Sequence, residues 1–339
     1  MDGAGKRRQA FSDLTNQHAS ENSVPAKDSR APLACQGGGY GLHLQGYTAA
    51  RVDPCPRLDV VDIDIEDVDD PMACTEIVND IFGNLKCAET RRRPSTCYME
   101  SVQTDINPMM RSILVDWLVE VAQEYRLTSD SLFLSVAYID RFLSLVDVRR
   151  NKLQLVGVTS MLVASKYEEI YAPAIEEFCY ITDNTYTREQ VLDMEREVLR
   201  VLEFDLTQPT TKTFLRRYIK AASGEIALDA TYEFLCAYLG ELTLMDYGML
   251  HYLPSHIAAA IVLVALYMLN KPTWSSTLQH YTGFMPRDLR RCAQAVHSLF
   301  VQAKTSSLPA SREKYASSKF ASVSQLGTAD SLPEWVFSQ

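Results

Sequence analysis

The stretch Met110-Arg-Ser-Ile-Leu-Val-Asp-Trp-Leu-Val-Glu-Val-Ala-Gln-Glu-Tyr125 decides the fold class of this chain. It follows Asn107-Pro108, a pair that disfavours a helix before the proline and favours one that starts at it. At about 100° per residue, the apolar side chains of the stretch cover an arc of about 240°, far wider than one core-facing stripe. Such a helix is either buried on nearly every side, or it has a core face and a second apolar face that stays open as a docking groove.

Helical periodicity continues beyond this stretch, and no segment shows convincing alternation of period two, so we predict an all-α protein. Thr187 and Gln190 form a capping box at the start of one helix, and Pro173 separates two others. The segment Leu153–Ala164 is apolar on all sides and is predicted to be the central helix of its unit. The predicted helices of this region cover about residues 130–146, 152–169, 174–181 and 187–202.

The chain also contains an internal repeat. The shift that carries Met161-Leu-Val-Ala164 onto Val262-Leu-Val-Ala265 also aligns other apolar residues of the two halves. We therefore predict two tandem five-helix units, over residues 107–206 and 208–304. An extra N-terminal helix within residues 72–92 precedes the units, and residues 305–339 form a C-terminal extension.

A charged residue interrupts the apolar arc of the opening stretch. Arg111 lies in the middle of that arc, where an unpaired charge would be very costly, and Asp140 is its nominated partner. The repeat carries Arg111 to Lys212 and Asp140 to Glu241, so the signs of the charges are kept. The sequence thus predicts a buried ion pair between the first two helices of each unit.

Composition and motifs limit the classes of function. The 339 residues carry a net charge of −10, which argues against nucleic acid as the main partner. The longest apolar run, Ile257–Leu269, is too short to span a bilayer. The eight cysteines form no Cys-x-x-Cys pair and no signal peptide precedes them, which is typical of an intracellular protein with reduced thiols. Phosphate-loop, nucleophile and metal-binding motifs are absent from the sequence, so we predict a protein that is not an enzyme and has no cofactor and no metal.

Residues 1 to about 70 are rich in Gly, Ser, Pro, Gln and charge, without sustained periodicity. This composition predicts a disordered tail. Its last part, Asp59–Asp70, holds seven acids and no Lys or Arg. We interpret that run as a self-repelling, solvated spacer before the first helix.

The run Met110–Glu120, followed by Tyr138-Ile-Asp-Arg-Phe-Leu-Ser144, closely resembles the first cyclin box of A-type cyclins. Two further runs, Leu118–Tyr125 and Pro209-Thr-Thr-Lys-Thr-Phe-Leu-Arg216, look like plant forms. The resemblance covers about residues 72–325. It implies a regulatory subunit that binds and activates a cyclin-dependent Ser/Thr protein kinase and controls cell-cycle progression in S phase and at G2/M. It also implies a protein found in nucleus and cytoplasm, mainly in the nucleus.

The family pattern Ala-Ser-Lys-aromatic-Glu-Glu is met by Ala164-Ser-Lys-Tyr-Glu-Glu169. The resemblance implies that Lys166 and Glu195 form hydrogen bonds to the kinase. The repeat replaces these two charges with Tyr267 and Val296. Without the resemblance, a lysine that reaches water from a helix end and a solvated glutamate would explain them. The other implied kinase contacts are Tyr167, Glu168, Glu169, Leu206, Ile81 and Phe82.

The resemblance also gives the apolar arc a function. In A-type cyclins the equivalent positions bind short Arg-x-Leu peptides of substrate and inhibitor proteins. Apolar pockets there receive the leucine, and Glu120 would offer its charge to basic residues of the peptide. The implied groove consists of Met110, Ile113, Leu114, Trp117, Glu120, Leu153 and Gln154.

A degradation signal is implied in the tail. Arg8-Gln-Ala-Phe-Ser-Asp-Leu-Thr-Asn16 resembles the destruction box of mitotic cyclins, with Phe11 where the family usually has Leu. Its matching positions are Arg8, Phe11, Leu14 and Asn16. The resemblance implies recognition by a ubiquitin ligase of the anaphase-promoting type, for which Lys6 and Lys27 are candidate acceptors.

Two other classes of protein fit parts of the pattern. A transcription-initiation factor built from the same two units would bind DNA, but it normally carries a zinc ribbon and a basic repeat surface, which this sequence lacks. A helical adaptor whose target is not a kinase would share the fold. We expect neither a nucleic-acid nor a membrane partner.

Overall fold

The computed structural model describes residues 60–272 and 274–338. Within these ranges the secondary structure is helical and contains no strand, which confirms the all-α prediction. The destruction-box positions Arg8, Phe11, Leu14 and Asn16 lie outside the described residues, as do Lys6 and Lys27.

The helices follow the predicted order of two five-helix units. Before the units come α1 (Val78–Arg91) and a short α2 (Tyr98–Ser101). The first unit consists of α3 (Pro108–Glu124), α4 (Ser129–Leu143), α5 (Arg150–Glu168), α6 (Ile175–Ile181) and α7 (Arg188–Val201). The second unit consists of α8 (Thr211–Ser223), α9 (Ala230–Met245), α10 (Pro254–Met268), α11 (Ser276–Thr282) and α12 (Pro286–Ala303). In the C-terminal extension α13 (Ala310–Ala316) is followed by three short 3₁₀ helices.

Local signals fix where the helices begin. The Asn107 side chain accepts a hydrogen bond from the Met110 amide at 2.9 Å, and Pro108 occupies the first helical position of α3. At the start of α7, the Gln190 amide donates to the Thr187 hydroxyl at 3.3 Å and the Thr187 amide donates to the Gln190 side chain at 2.9 Å. Both predicted helix starts are therefore present.

Each unit has its own hydrophobic core, and α5 is the central helix of the first. Residues on all sides of α5 are buried, as the apolar run Leu153–Ala164 predicted. Helix α3 approaches α5 so closely that a Cβ at Gly157 would lie 2.6 Å from Cδ1 of Leu114. Glycine at this position permits the approach.

The C-terminal extension packs on both units. Helix α13 lies against α3 and α9, and the Ala310 amide donates to Oδ1 of Asp116 in α3 at 3.0 Å. Further on, the Trp335 ring lies 5.9 Å from the ring of Tyr267 in α10. The extension thus covers part of the surface of α3 and also contacts the second unit.

The ion pair predicted between Arg111 and Asp140 is present and buried. Nε and Nη2 of Arg111 donate to the two carboxylate oxygens at 2.6 and 2.7 Å. Tyr98, which the sequence reading did not assign, donates its hydroxyl to Asp140 at 2.8 Å. Nη1 of Arg111 donates to the Leu244 carbonyl at the end of α9, also at 2.8 Å. Burial alone would lower the pKa of Arg111, but the Asp140 carboxylate outweighs it and holds that pKa above its ordinary value.

The matching pair predicted between Lys212 and Glu241 is wrong. The Glu241 carboxylate is buried and pairs instead with Lys314 of α13, and it accepts the Tyr315 hydroxyl at 2.9 Å. Lys212 is only half-buried. The repeat preserved the signs of the charges, but α13 packs on α9 and supplies Lys314 as the partner of Glu241. The first unit has no helix equivalent to α13.

The interpretation of Asp59–Asp70 as a solvated spacer holds for most of the described residues of this run, which are exposed, but it is wrong for residues 63 and 64. Ile63 and Asp64 are buried against the second unit. The Asp64 carboxylate accepts hydrogen bonds from Arg217 at 2.5 and 2.6 Å and from Lys220 at 2.9 Å. The hydrogen bond from Arg217 is the largest of the effects that lower the pKa of Asp64, with burial opposing it. Two acids of the run, Asp64 and Asp67, are thus paired with basic residues of α8.

Removal of the Arg111 guanidinium is expected to destabilise the whole protein. In Arg111→Met, Asp140 keeps the Tyr98 hydroxyl but loses its counter-charge, and breaking one partner of a buried pair costs about 3–5 kcal/mol. Arg188→Met is the matched control, because Arg188 pairs with Glu176 on the surface, and such pairs contribute under about 1 kcal/mol.

The measurement is the free energy of unfolding by urea for both variants, for Asp140→Asn and for Arg111→Met/Asp140→Asn. A coupling energy near zero between positions 111 and 140 would show that the pair does not stabilise the fold.

Candidate functional site

Lys166 and Glu195, nominated from different helices, meet in the structure. Nζ of Lys166, at the end of α5, lies 2.6 Å from Oε1 of Glu195 in α7. Core residues of α5 are buried up to Ser165, so the next side chain emerges at the surface. The Lys166 side chain is 49% exposed and that of Glu195 only 12%. Glu195 is therefore not the solvated glutamate that the residue alone suggested: it is a shielded carboxylate beside an accessible ammonium.

The residues after Lys166 divide into two groups. Tyr167 and Glu168 are exposed. Partial desolvation, followed by the negative charge of Asp130, raises the pKa of Glu168 above its ordinary value. Glu169 faces the protein: its Oε1 accepts the amide and hydroxyl of Thr128 at 2.7 and 2.9 Å and the hydroxyl of Ser131 at 2.5 Å. Glu169 thus caps the start of α4, so in the free chain it contributes to the scaffold.

The segment after α7 is held by its backbone. The Leu206 carbonyl accepts the Tyr138 hydroxyl at 2.9 Å, and the Asp205 carbonyl accepts Nη1 of Arg141 at 2.8 Å. The Asp205 carboxylate also forms an ion pair with Arg92, at the end of α1. These contacts fix the half-buried Leu206 beside the exposed end of α5 and connect that surface to α1.

The two nominated residues of α1 point in different directions. Ile81 is exposed, whereas Phe82 is half-buried, with its ring centroid 6.4 Å from that of Phe214 in the second core. Neighbouring residues of a helix are rotated by about 100° from one another, so Ile81 and Phe82 have different surroundings. Ile81 is available for a contact, and Phe82 anchors α1 to the second unit.

Three large apolar residues near this surface were missed by the sequence reading. Ile170, Tyr171 and Phe204 are 90%, 91% and 71% exposed. They follow the ends of α5 and α7, and Phe204 has a positive φ of 56°. Large apolar side chains that are exposed close along the chain to Lys166 and Leu206 are typical of a binding surface. In the sequence, these three residues could be recognised only as apolar residues that follow the end of a helical pattern.

The open apolar face expected on α3 is not observed. The five apolar groove residues Met110, Ile113, Leu114, Trp117 and Leu153 are at most 6% exposed. Helices α4, α5, α9 and α13 all pack against α3. The structure therefore fits the alternative in which α3 is buried on nearly every side. Glu120 and Gln154, the polar members of the implied groove, are half-buried.

Glu120 also lines a cleft of about 670 Å³ between the first unit and the C-terminal extension. The cleft carries charges of both signs, from the α3–α4 turn and from α13 and the residues after it. Its charged lining residues are Glu120, Arg126, Glu313, Lys314 and Lys319.

Comparisons with known proteins agree with this architecture. Residues 80–207 match the family described as "Cyclin, N-terminal domain", and residues 209–329 match "Cyclin, C-terminal domain". Cyclin-A1-4 of Oryza sativa subsp. japonica is 46% identical over 327 residues, which cover 95% of this chain and 88% of that protein. The chain belongs to the cyclin family.

The similar cyclins are plant A-type members, which confirms the resemblance drawn from the opening stretch. Putative cyclin-A3-1 of Arabidopsis thaliana is 44% identical over 286 residues, covering 83% of this cyclin and 81% of that protein. Cyclin-A1-1 of Oryza sativa subsp. japonica is 48% identical over 281 residues, covering 82% of this chain but 55% of that protein. This cyclin therefore spans little more than half the length of some of its relatives.

Solved structures share the fold at low sequence identity. A viral cyclin from herpesvirus saimiri aligns with a TM-score of 0.58 at 20% identity, covering 64% of this cyclin and 94% of that chain. A chain of the yeast RNA Pol II CTD kinase complex aligns with a TM-score of 0.51 at 12% identity, covering 64% and 72%. At these identities the likeness shows the fold alone.

Membership of the cyclin family favours a cyclin function over the alternative of a DNA-binding transcription-initiation factor. Among the described helices of this cyclin, none combines the length and the apolar character that crossing a bilayer requires.

Proposed function

We propose that this cyclin is the non-catalytic regulatory subunit of a cyclin-dependent Ser/Thr protein kinase. The observation that carries the proposal is the Lys166–Glu195 pair, together with the exposed side chains of Ile170, Tyr171 and Phe204, which follow the ends of the two helices that carry the pair. The pair and these side chains project from a helical unit whose core is buried on all sides of α5. One structural neighbour is part of a yeast kinase complex, which agrees with a kinase partner.

The charged pair is suited to hydrogen bonding with a partner's backbone. A lysine ammonium has three donors, and one of them is directed at Glu195 in the free chain. The remaining donors of the half-exposed Lys166 are accessible to carbonyl groups, while Glu195 holds the ammonium in one orientation. The exposed apolar residues around the pair would be removed from water on binding, which supplies non-directional affinity.

Activation follows from binding one state of the kinase better than another. By family resemblance, a cyclin contacts the kinase helix whose glutamate pairs with the ATP-positioning lysine, moves it into its active position and draws the activation segment from the catalytic cleft. Only differential affinity for the active state shifts this equilibrium. A surface fixed by the Tyr138–Leu206 bond and the Glu169 cap is suited to this, because little of it has to become ordered on binding.

We further propose that Glu120 of α3 and Gln154 of α5 recruit substrate or inhibitor proteins through Arg-x-Leu peptides. Support comes from the family resemblance, the half-buried position of both residues and the charged cleft that Glu120 lines. Because Trp117 and its apolar neighbours are buried, their truncation would also disturb the core. The polar residues are therefore the better probes of this function.

The remaining proposals rest on the sequence alone. We propose that the protein acts in S phase and at G2/M, mainly in the nucleus, and that the Arg8–Asn16 motif directs its ubiquitin-dependent degradation through a ligase of the anaphase-promoting type.

Loss of the charged pair is expected to weaken kinase binding and activation without unfolding the cyclin. Lys166→Ala/Glu195→Ala should weaken kinase binding by about 10- to 100-fold, the range for a central hydrogen-bonded contact. The stability should change by less than about 1 kcal/mol, because Lys166 is half-exposed. The measurements are kinase affinity by calorimetry, phosphorylation of a Ser-containing peptide and the free energy of unfolding.

Arg188→Ala/Glu176→Ala removes another exposed ion pair of the first unit and is the matched control. Full activation of a cyclin-dependent kinase by the Lys166→Ala/Glu195→Ala variant would contradict the proposed surface, and failure of the wild type to bind any such kinase would contradict the function.

Substitution of the polar residues beside α3 is expected to separate recruitment from activation. Glu120→Gln/Gln154→Ala should weaken binding of an Arg-x-Leu peptide by about tenfold, since a charge-assisted contact is lost. Phosphorylation of a peptide that lacks this motif should not change. Glu176→Gln serves as the control for removal of an acidic charge. Equal losses for both peptides would show that these residues serve the scaffold rather than recruitment.

Arg8→Ala is expected to stabilise the protein in dividing cells. Abundance is measured by immunoblot across a synchronised cell cycle, and the variant should persist after the wild type has disappeared. Arg30→Ala, which alters a different arginine of the tail, is the control. Identical disappearance of the wild type and the Arg8→Ala variant would rule out this motif as the degradation signal.

A further inference from the structure

The acidic segment before α1 is attached to the second unit along its length. We call residues 61–67 the strap. The Val61 amide donates to the Thr277 hydroxyl at 2.9 Å, and the Ile63 amide donates to the Tyr281 hydroxyl at 3.3 Å. The Ile63 side chain is part of the second core. The strap therefore follows α11 before it reaches its charged contacts with α8.

Arg217 of α8 is the centre of those charged contacts. Its guanidinium is buried and donates to both carboxylate oxygens of Asp64, and Nη2 also donates to Oδ1 of Asn79 in α1 at 2.9 Å. Its Cζ lies 5.4 Å from the ring centroid of Phe82 and 4.9 Å from that of Tyr281. One side chain thus joins the strap, the first half of α1 and the second unit.

Lys220 extends this cluster by one turn of α8. Its ammonium donates to Asp64 at 2.9 Å and to Asp67 at 2.5 Å. Two cations of α8 therefore face two acids of the strap, and we call these four residues the clamp: Asp64, Asp67, Arg217 and Lys220.

The second half of α1 has a separate attachment. The buried Glu89 carboxylate accepts the Ser255 amide at 2.8 Å and the Ser255 hydroxyl at 2.7 Å, at the start of α10. Since α1 is held separately at its two ends, loss of the clamp would loosen its first half, where Phe82 still packs on the second core, while the second half stays in place.

Helix α1 runs from the clamp to the surface that carries Lys166. Ile77, which precedes α1, and Ile81, in its first half, are exposed. Further along, Leu85 lines the same small pocket of about 170 Å³ as Tyr167 and Glu168 of the first unit. The exposed face of α1 is therefore continuous with the proposed kinase-binding surface.

We propose that the clamp positions α1, so that the exposed Ile81 joins the kinase-binding surface around Lys166. This inference rests on the proposed function. In it, Asp64 and Arg217 are positioning residues that affect kinase binding through α1. The clamp also gives the second unit a part in kinase binding.

The test uses the full-length chain with Arg217→Gln and with Asp64→Asn. Asp64→Asn is nearly isosteric and leaves the second core untouched. Hydrogen exchange of the α1 amides at residues 81–85 should become faster in both variants, whereas exchange in α5 should not change. Kinase affinity should fall by about tenfold. Arg287→Gln, which removes an exposed arginine of the second unit, should behave as the wild type in both measurements.

A double-mutant cycle with Ile81→Ala distinguishes positioning from a general loss of stability. If the clamp acts through α1, Ile81→Ala weakens kinase binding in the wild type but has little further effect in Arg217→Gln. Lys166→Ala should weaken binding in both backgrounds.

Wild-type kinase affinity of Arg217→Gln and Asp64→Asn, or an equal effect of Ile81→Ala in both backgrounds, would overturn the clamp proposal and leave the proposed function intact. A wild-type cyclin that binds no cyclin-dependent kinase would overturn both.

Discussion

The bidentate contact between Arg111 and Asp140 fixes the arrangement on which both units depend. It joins α3 to α4, and through the Leu244 carbonyl it reaches the end of α9, where the helix dipole favours a cation. Two buried charges are tolerated only with near-ideal geometry and satisfied hydrogen bonds, which the Tyr98 hydroxyl completes. The charge pair therefore sets the relative position of the unit that carries Lys166 and the unit to which α1 is attached.

Features encoded by neighbouring residues could be predicted from the sequence. Asn107-Pro108 and the pair Thr187 and Gln190 specify helix starts within four residues of themselves, and a lone arginine in an apolar arc requires an acid. Features that depend on packing between segments distant in the sequence could not be predicted in this way. Asp64 and Arg217 are 153 positions apart, so the acidic run gave the local signal of a solvated segment. Glu241 likewise found its partner in α13, which has no equivalent in the first unit.

The candidate site shows the same division. The resemblance placed Lys166 and Glu195 on one surface, and the structure brings their charged atoms to 2.6 Å. Exposure was not predictable: apolar residues at groove positions such as Trp117 are buried, whereas Ile170, Tyr171 and Phe204 are exposed to water. Periodicity reports which residues share a helix face, but whether that face is covered depends on elements elsewhere in the chain.

The orientation of α1 explains why a charged clamp suits this position better than apolar packing alone. Helix α1 has apolar residues on both faces, with Phe82 in the second core and Ile81 exposed. Burial of apolar surface is non-directional, so by itself it would also favour an α1 that is rotated about its axis and buries Ile81. Hydrogen bonds are directional, and the bond from Arg217 to Asn79 requires one particular rotation of α1 about its axis. The strap binds the same guanidinium through Asp64. Rotation of α1 about its axis would therefore break a hydrogen bond to a buried charge. Because a buried charge that is partly unpaired is costly, this rotation is disfavoured and Ile81 stays facing outward.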